Sequence, residues 1–164
     1  MSSSFLFIFF IMSLSKKNDL NVVYIYTDGA CKGNPGPGGW GAILKWGTHS
    51  KELNGACIDT TNNIMELTAV IEALKSLNRK CKIVLTTDST YVKNGITEWI
   101  HNWKKQNWKT KNKKMVKNKE FWLQLDSEVQ KHQINWVWVR GHTGHPENER
   151  ADELANLAVN ELME

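Results

Sequence analysis

The sequence predicts a single mixed α/β domain built on a five-stranded sheet. Three observations predict it. Strand-like runs alternate with runs of helical period in the order β β β α β α α β α. The first three strands are joined by short turns, whereas strand 4 follows a helix, so hairpins and a crossover must coexist in one mixed sheet. A chain of 164 residues, with 41% hydrophobic and 23% charged side chains, can build one core without disulfides or a structural metal. That composition excludes disordered, collagen-like and disulfide-scaffold classes.

Residues 22–27 (VVYIYT) alternate and are rich in β-branched and aromatic side chains, which reads as strand 1, ended by Asp28 and Gly29. Residues 33–39 (GNPGPGG) read as a turn dictated by Pro and Gly, followed by strand 2 over 40–46 (WGAILKW). Residues 52–58 supply strand 3 and complete an antiparallel meander. Thr60 or Thr61 can cap the next helix, in which Ile64, Leu67, Ile71 and Leu74 share one face as far as about Leu77. The run 83–85 (IVL), continued by Thr86 and Thr87, has the pattern of a strand covered on both faces, which predicts a central strand 4. Ser89 can cap a helix reaching about Trp103, and a further helix is predicted over 120–131. Residues 134–139 (INWVWV) form strand 5, residues 141–146 (GHTGHP) a loop, and the chain from Asn148 onward a final amphipathic helix.

This order locates a site. Strands 1 to 3 pair as hairpins on one side of strand 1, and the crossover helix can bring strand 4 in parallel on its other side. Ligands of open α/β sheets collect at such a reversal, outside the carboxyl ends of the strands. Asp28 and Asp88 follow strands 1 and 4, so two carboxylates should face each other there, and a hard cation such as Mg²⁺ relieves their repulsion. Glu66, expected to lean off the core face toward the sheet edge, can be a third ligand, and Asp152, in the first turns of the last helix, a fourth. The bland alternatives are a turn residue for each Asp and a helix-dipole partner for Glu66 and Asp152. His142 and His145 lack HExxH spacing, so a proton carrier or a plain surface residue fits a loop histidine better than a zinc ligand.

Charge is unevenly spread. Residues 101–119 hold eight lysines and no acid, while the whole chain is only +4, so a basic patch sits on an otherwise acidic body. Such a block is ordinarily a solvated face. Trp99, Trp103 and Trp108 interleave with the lysines and shift the expectation to a polyanion with surfaces for stacking, that is, nucleic acid. Cys31, Cys57 and Cys81 form an odd set without CxxC spacing, consistent with a reducing, cytoplasmic setting. Residues 5–12 (FLFIFFIM) are too few to span a bilayer and lack the preceding cation of a signal peptide. Residues 1–20 are therefore expected to be either a disordered leader or the product of a start site upstream of Met12, outside a domain spanning 21–164.

Four separate motifs then agree with one family. Asp28 within YTDGACKGNPGPGGWGA, Glu66 within DTTNNIMELTAVIEAL, Asp88 within LTTDSTYVKNGI, and WVRGHTGHPENERADELA around His142 and Asp152 together resemble the bacterial type 1 ribonuclease H family, in order over about 140 residues. The resemblance implies a ribonuclease H-like fold, with strands 1 to 3 antiparallel and strands 4 and 5 parallel. It implies hydrolysis of the RNA strand of RNA/DNA hybrids with two Mg²⁺ or Mn²⁺ ions, leaving 5′-phosphate and 3′-hydroxyl ends, by a monomeric enzyme. It assigns metal binding to Asp28, Glu66, Asp88 and Asp152, and a proton-carrying or product-release role to His142. Substrate contacts fall on Asn34, Thr61, Asn62, Trp99, Trp103 and Trp108, with Lys104, Lys105, Lys113 and Lys114 in the basic protrusion at 101–119. Thr90 and Met115 depart from the family's frequent Gln and Pro, which bears on substrate affinity and on the protrusion's local shape. A non-catalytic nucleic-acid-binding module on this fold would be marked by a lost acid, and all four are present.

Overall fold

Alternating Val23 and Ile25, 8% and 0% exposed, bury one face of strand β1 (Val22–Cys31), the third of five strands in the order β3-β2-β1-β4-β5. The computed structural model that shows this describes residues 21–141 and 144–164; the expected leader, residues 1–20, lies outside them. β1 pairs antiparallel with β2 (Gly36–Trp46), which pairs antiparallel with β3 (His49–Thr60). On its other side β1 runs parallel to β4 (Lys82–Thr87), and β4 parallel to β5 (Gln133–Trp138). The fold class and strand directions are those expected. β4 is interior, but the middle strand is β1.

Helix α1 (Asn62–Lys75) buries Leu67, Ile71 and Leu74 as the periodicity predicts, together with Met65, Ala69, Val70 and Ala73. Thr61 is its cap, with Oγ1 accepting from the Ile64 N–H at 3.2 Å. Ser89 caps α2 (Thr90–Asn94), accepting from Val92 N–H. The predicted uninterrupted helix to Trp103 is instead broken by a π-helical turn at Gly95–Trp99, after which α3 (Ile100–Lys105) continues. The Trp122 indole explains the placement of Gly95, where a Cβ would lie 1.9 Å from the ring. Trp122 belongs to α4 (Lys119–Gln130), which packs on the same layer as α1 and closes the main core. The last helix, α5 (Pro146–Met163), begins two residues before the predicted start because Pro146 suits the first helical turn.

The Gly-rich run departs from its turn reading in an informative way. β1 continues past Asp28 to Cys31, and β2 starts at Gly36, so all of GPGG is strand. The glycines alternate between layers. A Cβ at Gly38 would meet the Met65 side chain of α1 at 2.9 Å, whereas Cβ atoms at Gly39 and Gly41 would lie 2.1 and 2.2 Å from the carbonyl oxygens of Ala155 and Ala151 in α5. Missing side chains let α5 rest directly on the strand. β3 is likewise longer than the predicted 52–58. Gly41→Ala is expected to lower the melting temperature by roughly 3–10 °C in a CD thermal scan, because an overpacked helix–strand contact costs about 1–3 kcal/mol. An unchanged melting temperature would mean that α5 can lift without loss.

Candidate active site

Asp28 lies within β1, where the parallel ladder to β4 has ended at Tyr26↔Thr86 but the antiparallel ladder to β2 continues through Asp28↔Gly41. Asp88 follows β4 directly, between two residues whose hydroxyls fix the chain. Thr87 Oγ1 accepts from Ser89 N–H at 3.2 Å, and Ser89 Oγ accepts from Val92 N–H. Glu66 comes from the second turn of α1. Carboxylate oxygens of Asp28, Glu66 and Asp88 lie within 4.8 Å of one another.

Glu66 is over the middle of the sheet, not leaning toward its edge as the sequence reading expected. Gly29 is the reason. A Cβ there would lie 2.6 Å from the Glu66 backbone nitrogen and 2.7 Å from the Met65 carbonyl carbon, so α1 rides directly on β1 beside Asp28. The sequence signal was the glycine after Asp28, which reads equally well as a strand-ending turn.

Crowding shows in the electrostatics. Asp28 is 3% exposed, and burial, then the Asp88 charge, then the hydrogen-bonded and charged Asp152 carboxyl push its pKa up to about 8, against a lowering contribution from the Gly29 backbone. Glu66 is raised well above the ordinary carboxylate value, first by burial and then by Asp28 and Asp88. Its Oε2 is buried without a hydrogen-bond partner. An orphaned carboxylate oxygen in a set made of carboxylates alone fits a hard, oxygen-preferring divalent cation. Asp152 adjoins this trio through Asp28, and Asn156 Nδ2 donates to its Oδ1 at 3.1 Å, a contact no sequence motif announced.

The other expected site residues are distributed as follows. Asn34, Thr61 and Asn62 meet at the N-terminus of α1, where Asn34 Oδ1 accepts from the Asn62 N–H at 3.2 Å and Thr61 serves as the cap. Trp99, Trp103 and Trp108 form a chain of rings with centroids 5.9 and 5.8 Å apart, and Trp103 meets Trp122 edge-on at 5.3 Å. Trp103 and Trp108 are half-buried against the core, so they anchor the basic segment as well as bordering it. A bridge between Lys109 and Met115 closes the lysine-bearing turn, and buried Val116 pins its base. Lys105, Lys113 and Lys114 are exposed, whereas Lys104 pairs with Asp126 at 2.7 Å. His142 lies outside the described residues. Among the described residues no helix is long and apolar enough to cross a membrane.

Known proteins resemble this chain in sequence and in fold. The family model described as RNase H matches residues 20–160. A ribonuclease H of Hydrogenovibrio crunogenus is 65% identical over 140 residues, covering 85% of this chain and 97% of that protein. A ribonuclease HI of Neisseria meningitidis serogroup B is 62% identical over 134 residues, covering 82% and 92%. Among solved structures, LC9-RNase H1, described as a type 1 RNase H with the type 2 active-site motif, superposes with a TM-score of 0.78 at 34% identity, covering 86% of this chain and 73% of that one. LC11-RNase H1, solved in complex with an RNA/DNA hybrid, gives 0.61 at 25% identity, covering 87% and 99%.

Proposed function

The chain belongs to the ribonuclease H family, and from that premise we propose that Asp28, Glu66, Asp88 and Asp152 hold two Mg²⁺ ions with which the enzyme hydrolyses the RNA strand of RNA/DNA hybrids. Family membership makes it a nuclease and a hydrolase that uses a divalent metal. The observation that carries the finer reading is the convergence of three buried or half-buried carboxylates, with the orphaned Oε2 of Glu66 among them. When bound, two ions would activate the attacking water and offset the charge on the departing oxygen.

The chain's own residues supply the rest. Asp28, itself buried, adjoins Glu66, Asp88 and Asp152 and would be the group shared between two ions. The rigid strand, helix and capped turn behind Asp28, Glu66 and Asp88 hold the carboxylates in place before substrate arrives, so little reorganisation accompanies reaction. Asn34, Thr61 and Asn62, close to Glu66 on α1, present polar groups where a nucleic-acid backbone would cross the helix N-terminus. His142, which falls between the β5 and α5 segments in the sequence, serves as proton carrier. Attack at phosphorus with loss of the 3′-oxygen leaves a 5′-phosphate and a 3′-hydroxyl. Mn²⁺ substitutes for Mg²⁺ on this donor set. One chain, as a single domain over residues 21–164, provides all four acids, so a monomer suffices for the chemistry.

The test is parallel incubation of end-labelled RNA/DNA hybrid, duplex RNA and duplex DNA, with and without Mg²⁺. Only the RNA strand of the hybrid should be cut, and only with metal. Cleavage in the presence of a chelator, or of duplex DNA at a similar rate, would overturn the assignment.

A further inference from the structure

We propose that Asn156 is a positioning residue that holds the Asp152 carboxylate toward the cation site; this rests on the reading of Asp152 as the fourth acid. Asp152 and Asn156 stand four residues apart on α5, where side chains are neighbours. The Asn156 amide nitrogen donates twice, to the Asp152 carbonyl oxygen at 2.9 Å and to its carboxylate Oδ1 at 3.1 Å. The carbonyl is fixed by the helix, so the second bond ties the carboxylate to a rigid reference.

Asp152 needs such a tie. Asp28, Glu66 and Asp88 converge mutually, while Asp152 adjoins that trio at Asp28 and comes from α5, in the layer opposite α1. With the cluster ionised, like charges would turn an unrestrained Asp152 side chain away from it. A neutral amide counters that without adding a cation to compete with the metal, as Lys or Arg at the same position would. Asn is also a poor residue for a helix interior, so its presence there is not explained by helix stability. Outer partners of metal-binding carboxylates act in this way, fixing orientation without touching the ion.

The experiment measures Mg²⁺ affinity by isothermal calorimetry without substrate, the Mg²⁺ dependence of hybrid cleavage, and the melting temperature, for the wild type, Asn156→Ala, Asn156→Gln, Asp152→Asn and the Asp152→Asn, Asn156→Ala double variant. Asn156→Ala should weaken Mg²⁺ binding about tenfold and raise the Mg²⁺ needed for half-maximal rate by the same factor. Its KM for hybrid at saturating Mg²⁺ should be unchanged and its melting temperature equal or higher, since Ala is the better helix former. Asn156→Gln, which keeps an amide donor at this spacing, should recover much of the affinity. In an Asp152→Asn background, Asn156→Ala should add nothing. Wild-type Mg²⁺ affinity in Asn156→Ala, or a loss that follows a lowered melting temperature, overturns the positioning role. An Asp152→Asn variant with wild-type affinity and rate overturns the assignment of Asp152 itself, and the proposal with it.

Discussion

Asp28→Asn should reduce hybrid cleavage by at least about 10³-fold while raising the melting temperature of the metal-free protein near pH 8. The amide keeps the size of the side chain and removes the charge that two cations would share, and metal stabilisation of a transition state is worth several kcal/mol. The gain in stability has the same origin. Asp28 titrates near 8 in the folded protein against an ordinary 3.8. Between about pH 4 and pH 8 the folded state therefore holds a proton that the unfolded chain has released. The contribution is fully present below the unfolded value and is lost as pH rises through the folded one. Metal-free wild type should thus melt at progressively lower temperature across that window, and Asp28→Asn should flatten the slope. Added Mg²⁺ should flatten it too, by taking the proton's place. A variant that cuts hybrid at near wild-type rate, with a matched far-UV CD spectrum, would remove Asp28 from the metal site; a wild-type stability that does not depend on pH would remove the crowding argument.

The parts of the site that sequence made legible are those set by local rules. Asp88 is legible because strand 4 ends in recognisable chemistry, and Asp28 because a parallel crossover must reverse the winding beside strand 1, although β1 itself runs on to Cys31. Ser89, and one of Thr60 and Thr61, are legible as caps because their hydroxyls suit helix starts, and the structure shows the bonds at Thr61 and Ser89. What escaped reading depends on what meets the chain from elsewhere. Gly38, Gly39 and Gly41 look like turn residues in isolation, and only α1 and α5 lying on β2 give them a strand's role. The inward aim of Glu66 requires the close approach at Gly29, and the π-turn at Gly95 requires a tryptophan 27 residues further along the chain, at Trp122. In sequence the tryptophans of the basic segment show only what they offer a ligand; their ring chain to Trp122 shows what they do for the fold.

That double role changes how the basic segment should be tested. Changing Lys105, Lys113 and Lys114 together to Ala should raise KM for hybrid about 100-fold with kcat nearly constant. Three exposed charge-assisted contacts at about 1 kcal/mol each amount to that factor, and contacts made equally in ground and transition states leave the chemical step alone. The slope of log affinity against log salt should flatten by about three units, because each lost phosphate contact leaves about one counterion unreleased. Lys104→Ala alone should do less to binding, since its ammonium is shared with Asp126. Trp103→Ala provides the contrast. It breaks the ring chain that ties the segment to Trp122, so it should lower the melting temperature and raise KM together, without altering the number of counterions released. If the triple-lysine variant kept its KM and its salt slope, the eight lysines would be an ordinary solvated face, and hybrid binding would have to rest on the α1 N-terminus with Asn34, Thr61 and Asn62.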